Sequence, residues 1–196
     1  MRSHVCVGRS VANVRTLDHH PSPIVVGNFV VRQYEIEDAA SLALSVTESL
    51  EHLLPWMPWA KFEPQSVQQR RDLIEVWNQE WQAGSNFVMG IFENNLVVGG
   101  TGFHLRGENG TIEIGYWVHA HHIGRGIAAT VASALTSYAF EFLPEITTVQ
   151  ILHDEANEYS RRVPETLGFT MVETFDREPE APAEKGVVLR WHKARQ

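Results

Sequence analysis

Two closely spaced glycines, Gly124 and Gly126, stand between a strand-like run at 112–118 and a helix-like run. Glycine lets a backbone approach a ligand closely, and the first N–H groups of a helix can donate to an anion. The segment is not a dinucleotide fingerprint, because Ala129 stands where the third glycine belongs, and no Gly-Lys-Ser/Thr of a P-loop follows. The spacing therefore predicts either a phosphate-binding turn or glycines that only turn the chain.

Three polar side chains near this turn are candidates for proton transfer and hydrogen bonding. Strand alternation puts Glu113 on the same face as Trp117, where partial burial would raise its pKa towards that of a useful base. An ion pair with Arg106 on the neighbouring strand is the alternative from position alone. Asn157 and Ser160 are three residues apart, hence on one face at the start of a helix.

Three histidines, His119, His121 and His122, lie close together in the chain and raise the question of a metal site. A consecutive pair seldom points both imidazoles at one centre, and no cysteine or nearby acidic set completes a tetrahedral site. We therefore predict a solvated loop and no metal.

Hydrophobic periodicity predicts one mixed α/β domain over residues 29–192, in the order β-α-α-β-β-β-α-β-α-β-β. Asp38 is the predicted N-cap of the first helix, and turns at 94–95 and 107–110 join three consecutive strands. Pro164 falls inside the last helix, where it predicts a bend or a different start. The predicted strands are 29–34, 86–93, 96–106, 111–118, 147–152, 169–176 and 186–192, and the later helices are 125–143 and 158–167.

Composition excludes several classes of protein. The chain has 196 residues and a formal charge of −8, from 16 Lys+Arg and 24 Asp+Glu, which argues against a nucleic-acid binder, since such a protein needs a basic face. No apolar stretch reaches the ~18 residues of a membrane span. The single cysteine, Cys6, favours a reducing, cytoplasmic setting. Residues 1–28 are predicted to be a poorly ordered N-terminal extension.

These motifs resemble the GNAT N-acetyltransferase superfamily, and within it the RimJ/RimL-type ribosomal-protein N-acetyltransferases. The resemblance rests on Glu113 to Trp117, Gly124-x-Gly126, Asn157-x-x-Ser160, Leu167-Gly168-Phe169 and the connector Leu54-Pro55-Trp56-Met57-Pro58-Trp59. It covers about residues 29–192. It implies a mostly antiparallel sheet with helices on both faces, and an acetyl-CoA cleft where the strands ending at Val118 and Leu152 splay apart.

The resemblance also implies roles for individual residues. Glu113 is the general base, acting directly or through water, and Ser160 protonates the departing thiolate. Val118 pairs its backbone with the pantetheine arm, and Asn157 forms a hydrogen bond to that arm. The CoA pyrophosphate is held by backbone N–H groups of His122, Ile123, Gly124, Arg125, Gly126, Ile127 and Ala128.

The acceptor is an amine, and Trp56 and Trp59 either bind it or plug the base of the helix pair. The favoured prediction is acetyl transfer to a primary amine, either a protein N-terminus or a small amine, by direct attack in a ternary complex. One alternative is a CoA-binding sensor without turnover, and another is acetylation of an amine-bearing antibiotic. The sequence is compatible with a monomer and with a homodimer.

Overall fold

A computed structural model of the chain describes residue 17 and residues 20–196. This part of the chain forms one eight-stranded mixed sheet with the order β1-β2-β3-β4-β5-β6-β8-β7, together with four α-helices. The strands are β1 (Ile24–Val26), β2 (Phe29–Gln33), β3 (Asn86–Glu93), β4 (Leu96–His104), β5 (Thr111–Val118), β6 (Thr148–Asp154), β7 (Thr170–Asp176) and β8 (Val187–Ala194). The helices are α1 (Ala39–Leu53), α2 (Val67–Gln82), α3 (Ile127–Phe142) and α4 (Glu158–Thr166).

Helices cover both faces of the sheet, as the alternation along β3 shows. Phe87, Met89 and Ile91 are buried in a core that contains the inner face of α3. Val88 and Phe92 pack in a second core with α1 and α2. The predicted fold class, a mixed and mostly antiparallel sheet between helices, is confirmed.

The sheet opens between β5 and β6, its one parallel pair in the described residues. The two strands are in register only from Thr111–Thr148 to Glu113–Gln150. Beyond that point β5 continues to Val118 alongside β4, and β6 continues to Asp154 alongside β8. The predicted splay is therefore present, and the fork begins at Glu113.

The predicted N-terminal boundary is wrong for the described residues. Residues 24–26, assigned to the extension, form β1, which pairs with β2 across a turn at Gly27. Leu17 is buried and donates its backbone N–H to the Gly84 carbonyl. The folded unit therefore begins before residue 29. Cys6 and most of the predicted extension lie outside the described residues.

Asp38 is the N-cap residue of α1, as predicted, but its side chain forms no capping hydrogen bond. It ends a 3-10 turn, and its carboxylate accepts two hydrogen bonds from Arg32, at 2.7 and 3.0 Å, and one from the Glu35 backbone. The Asp38 carboxylate pairs with Arg32 of β2 and not with a backbone N–H of α1, because a bidentate ion pair is stronger than a single capping hydrogen bond.

The helix with Pro164 begins at Glu158, as predicted, and continues through the proline to Thr166. None of the described helices combines the length and apolar character needed to cross a membrane.

Candidate active site

A cavity of about 620 Å³ opens at the fork between β5 and β6. Its wall includes residues of α1, α2, β3, β4 and β5, the end of β6, the start of α4, the connector between α1 and α2, and the loop between β7 and β8. Five predicted site residues meet there: Trp56, Trp59, Glu113, Asn157 and Ser160. The predicted glycine turn at residues 122–128 follows β5. None of its residues is among the described residues that line this cavity.

Glu113 is partly buried at the branch point of the fork, with its side chain 12% exposed. Gln150, its register partner on β6, donates a hydrogen bond of 3.1 Å to Oε2. Arg106 approaches Oε1 at 3.6 Å, but its own side chain is 66% exposed. Burial raises the pKa of Glu113 despite the opposing effects of Arg106 and Gln150. The predicted alternative, an ion pair between Glu113 and Arg106, is therefore present as a loose contact. The Glu113 carboxyl nevertheless has the raised pKa expected of a base.

The turn before α3 has the geometry of an anion site. Gly124 and Gly126 have φ of 76° and 73°, and a Cβ atom at either position would meet no atom within 4 Å. Gly126 is the N-cap of α3, so the N–H groups of the first helical turn have no partner within the helix. The two glycines therefore leave open space beside unsatisfied donors, which suits a phosphate group.

The turn is anchored to the sheet by Arg125. Its guanidinium donates to both carboxylate oxygens of Glu93 at the end of β3, at 2.7 and 2.9 Å, and contacts His122 Nδ1 at 2.6 Å. Burial and the neighbouring Arg125 lower the pKa of His122. The Arg125 side chain thus positions the turn. Ile127 contributes only backbone, because its side chain is 2% exposed in the core.

Asn157 and Ser160 meet at the start of α4. Asn157 Oδ1 accepts a hydrogen bond of 3.0 Å from the Ser160 backbone N–H, which leaves the amide group of Asn157 as its donor. Tyr116 Oη donates to the Ser160 carbonyl at 3.1 Å. That carbonyl lacks its usual helical donor, because residue 164 is a proline. Tyr116 thereby explains how α4 continues through Pro164.

Three tryptophans, Trp56, Trp59 and Trp117, line the same cavity as these polar groups and form its aromatic wall. Trp59 packs edge-on against Trp117 of β5, with ring centroids 6.2 Å apart, and Trp56 also lines the cavity. The Trp117 indole covers Gly100, where a Cβ atom would overlap it. The β7–β8 loop (residues 177–186) closes this side, since the Ala183 N–H donates to the Pro55 carbonyl at 3.0 Å.

The histidine cluster has a partner that sequence spacing did not indicate. Glu48 of α1 places a carboxylate near His119 and His121, with the three ligand atoms within 4.8 Å of one another. His119 Nδ1 accepts the His121 backbone N–H, so Nε2 carries the proton and donates to Glu48 at 2.9 Å. Both imidazole nitrogens of the buried His119 are thus engaged in holding the turn, and neither offers a lone pair to a metal.

Sequence reasoning missed His104, Tyr116 and Gln150. The turn at residues 107–110 contains a signal for the first of them. If residues 107–110 form a four-residue hairpin loop, residues 106 and 111 are opposite each other, and two positions further along each strand His104 is opposite Glu113. The structure has this register. The contacts of Tyr116 and Gln150 join elements far apart in the chain and leave no local signal.

Comparisons with known proteins agree with this geometry. A family model described as an acetyltransferase (GNAT) domain matches residues 28–170. The putative ribosomal N-acetyltransferase YdaF of Bacillus subtilis (strain 168) is 30% identical over 143 residues, which cover 72% of this chain and 78% of that protein.

Two solved structures share the fold at low sequence identity. RimL, a ribosomal L7/L12 alpha-N-protein acetyltransferase in complex with coenzyme A, has a TM-score of 0.80 at 19% identity, covering 88% of this chain and 98% of that one. Mycobacterium smegmatis RimJ, in complex with CoA-disulfide, has a TM-score of 0.77 at 20% identity, covering 93% and 88%.

The forked sheet and the glycine turn before α3 both lie within the residues that the acetyltransferase family model matches. The chain belongs to the GNAT acetyltransferase family. The predicted resemblance to this family and to its RimJ/RimL-type branch is confirmed.

Proposed function

We propose that this protein transfers an acetyl group from acetyl-CoA to the α-amine of a protein N-terminus, by direct attack in a ternary complex. The observation that carries this proposal is the position of Glu113. It lies where β5 and β6 part, on the wall of the cavity, with a raised pKa. A partly buried proton acceptor at that point suits attack by an amine on an acyl group.

The residues present fit acetyl-CoA. The open space at Gly124 and Gly126 and the first N–H groups of α3 suit the pyrophosphate. In this proposal, the backbone of Val118, on the part of β5 that does not pair with β6, and the amide donor of Asn157 form hydrogen bonds to the pantetheine arm. When bound, acetyl-CoA supplies the acetyl group as a thioester.

The protein's own groups manage the protons. Glu113 accepts a proton from the amine, directly or through water, as the C–N bond forms. The Ser160 hydroxyl donates a proton to the sulfur as the C–S bond breaks. Both side chains line the same cavity, so one reacting centre can lie between them.

A protein N-terminus is the acceptor that the comparisons favour. YdaF is named a putative ribosomal N-acetyltransferase, and RimL a ribosomal-protein α-N-acetyltransferase. Trp56, Trp59 and Trp117 form an aromatic wall that suits the first side chains of an extended peptide. The single cysteine suits a reducing, cytoplasmic setting for such a reaction.

The test is release of free CoA thiol from acetyl-CoA in the presence of four acceptor classes. These are peptides with a free N-terminus, the same peptides with a blocked N-terminus, free amino acids, and an aminoglycoside. We expect turnover with the free peptides only, and mass spectrometry should place the acetyl group on the α-amine. Turnover with the aminoglycoside alone would instead support acetylation of an amine-bearing antibiotic. The absence of turnover with all four acceptor classes would support a CoA-binding module without catalytic activity.

The Glu113→Gln variant tests the base in the same assay. It keeps the shape of the side chain but removes its ability to accept a proton, so kcat should fall roughly 100-fold or more. The Kd for CoA, measured by calorimetry, should stay unchanged. The loss should shrink at high pH, where more of the amine is already neutral. A wild-type rate at neutral pH would exclude Glu113 as the base.

A further inference from the structure

A histidine that the proposed mechanism does not use lies beside Glu113. His104 ends β4 and is the cross-strand partner of Glu113 in the β4–β5 ladder. Directly opposed residues of two antiparallel strands place their side chains on the same face, ~5 Å apart at Cβ. His104 and Glu113 both belong to the cavity wall.

The tautomer of His104 follows from a chain of hydrogen bonds. Asn86 Nδ2 donates to Glu80 Oε2 at 2.7 Å, which fixes the orientation of the Asn86 amide. Its Oδ1 then faces His104 Nδ1 at 2.6 Å, so Nδ1 carries the proton and donates. His104 Nε2 is therefore left with a lone pair.

Two facing glycines place that lone pair at the cavity. Gly102 and Gly115 form a register pair of β4 and β5. A Cβ atom at Gly102 would lie 3.3 Å from His104 Nε2, and one at Gly115 would lie 3.5 Å from it. The imidazole thus extends over the positions that lack side chains, and no donor among the described residues contacts Nε2.

His104 remains neutral at physiological pH. Burial, with a smaller effect from Arg106, lowers its pKa to about 4. The charged groups around it are Arg106 in the loop that follows β4, Glu113 on β5 and, through Asn86, Glu80 of α2. A neutral imidazole can accept a hydrogen bond at Nε2, whereas an imidazolium could not.

We propose that His104 is a second catalytic residue, whose Nε2 accepts one N–H of the acceptor amine while Glu113 accepts the other. This inference rests on the proposed function. A neutral primary amine has two N–H groups and one lone pair, so two acceptors on adjacent strands leave the lone pair directed at the thioester. The site is thereby specific for primary amines, since a secondary amine has one N–H and must leave one acceptor without a partner.

Two variants of His104 separate this role from a structural one. In His104→Asn the short amide can still donate to Asn86 but does not reach the position of Nε2. In His104→Gln the longer amide places an oxygen near the position of Nε2 but loses the match to Asn86. We expect the Asn variant to lower kcat/KM for a peptide amine about tenfold or more, with an unchanged Kd for CoA, and the Gln variant to retain the larger share of activity. The reverse order would show that His104 only supports the fold.

An N-methylated peptide provides the second readout. Wild type should have a higher kcat/KM for the primary amine than for the N-methyl amine. His104→Asn should lower the ratio of these two values by about the same factor as it lowers kcat/KM for the primary amine. An unchanged preference would overturn the role in amine recognition.

Nitrogen NMR of the imidazole tests His104 without turnover. We expect a protonated Nδ1, an unprotonated Nε2, and titration near pH 4 in wild type. The opposite tautomer, or titration near 6.5, would overturn the inference even in an active enzyme. If the NMR result holds and no amine is acetylated, the proposed function fails while the state of His104 stands.

Discussion

The Tyr116 hydroxyl takes the place of a backbone N–H that Pro164 lacks. In an uninterrupted helix, the carbonyl of Ser160 would accept from residue 164. Here Tyr116 Oη donates to it from β5 at 3.1 Å. Burial raises the pKa of Tyr116, so its hydroxyl stays protonated and remains a donor. One side chain thus holds α4, and with it Ser160 and Asn157, against the fork.

We therefore expect Tyr116→Phe to lower the free energy of unfolding by about 1–3 kcal/mol, because it leaves the Ser160 carbonyl without a donor. Pro164→Ala supplies an N–H at residue 164 and should recover part of that loss. Urea unfolding of the wild type, both single variants and the double variant measures the coupling. Tyr159→Phe is the matched control, since Tyr159 is 75% exposed on the same helix. If Pro164→Ala changed the free energy of unfolding by the same amount in the wild type and in Tyr116→Phe, this account would be contradicted.

At the scale of elements, the junction between β5 and α3 combines a rigid anchor with an open backbone. Arg125 ties the turn to β3 through Glu93, and His119 ties its beginning to α1 through Glu48. Between these anchors, Gly124 and Gly126 take left-handed conformations beside open space. Such a turn is held in position before a ligand binds, which lowers the entropy lost on binding.

Gly126→Val should raise the Kd for CoA about tenfold or more, because its side chain would fill the space that a phosphate needs. Strain from the left-handed backbone is a separate effect, which Gly27→Val controls for. Gly27 also has a positive φ, 58°, and a Cβ atom there would meet no atom within 4 Å, but it lies in the β1–β2 turn. Both variants should lose similar stability, and calorimetry should find weaker CoA binding only in Gly126→Val. Equal Kd values for the two variants would place the phosphate site elsewhere.

The molecule as a whole buries several imidazoles, and this sets its response to acid. Burial lowers the pKa of His104 to about 4 and also lowers those of His153 and His192. Between the ordinary value of 6.5 and these lowered values, the unfolded chain binds protons that the folded chain does not. Stability from these groups is therefore present above pH 6.5 and is lost as the pH falls towards 4. The raised pKa of Glu113 acts in the opposite direction, since its contribution is lost as the pH rises through that pKa.

The free energy of unfolding should consequently fall between pH 7 and pH 4.5, with His104 contributing on the order of 2 kcal/mol. His104→Asn removes the titrating group and should reduce the drop by that amount, whatever it does to stability at pH 7. Urea unfolding of both proteins at the two pH values provides the comparison. A drop of the same size in the variant would show that His104 does not titrate as its burial implies.

Local patterns in the sequence determined the elements and the chemistry of the turn. Alternating and helical periodicities predicted the strands and helices from residue 29 onwards, because each depends on neighbours a few positions away. Gly124 and Gly126 were identifiable because only glycine readily takes a positive φ beside open space. Even the pairing of His104 with Glu113 was encoded locally, in the length of the turn at residues 107–110.

Only the tertiary structure decided which distant groups meet. Gln150 reaches Glu113, Tyr116 reaches Ser160, and Glu48 reaches His119, each across at least 37 positions in the chain. No local period encodes such contacts, since they depend on how packed helices and strands lie against one another. The same holds for the pKa of Glu113. Its residue type and strand face could be read from the sequence, but its burial depends on the fork that β5 and β6 form together.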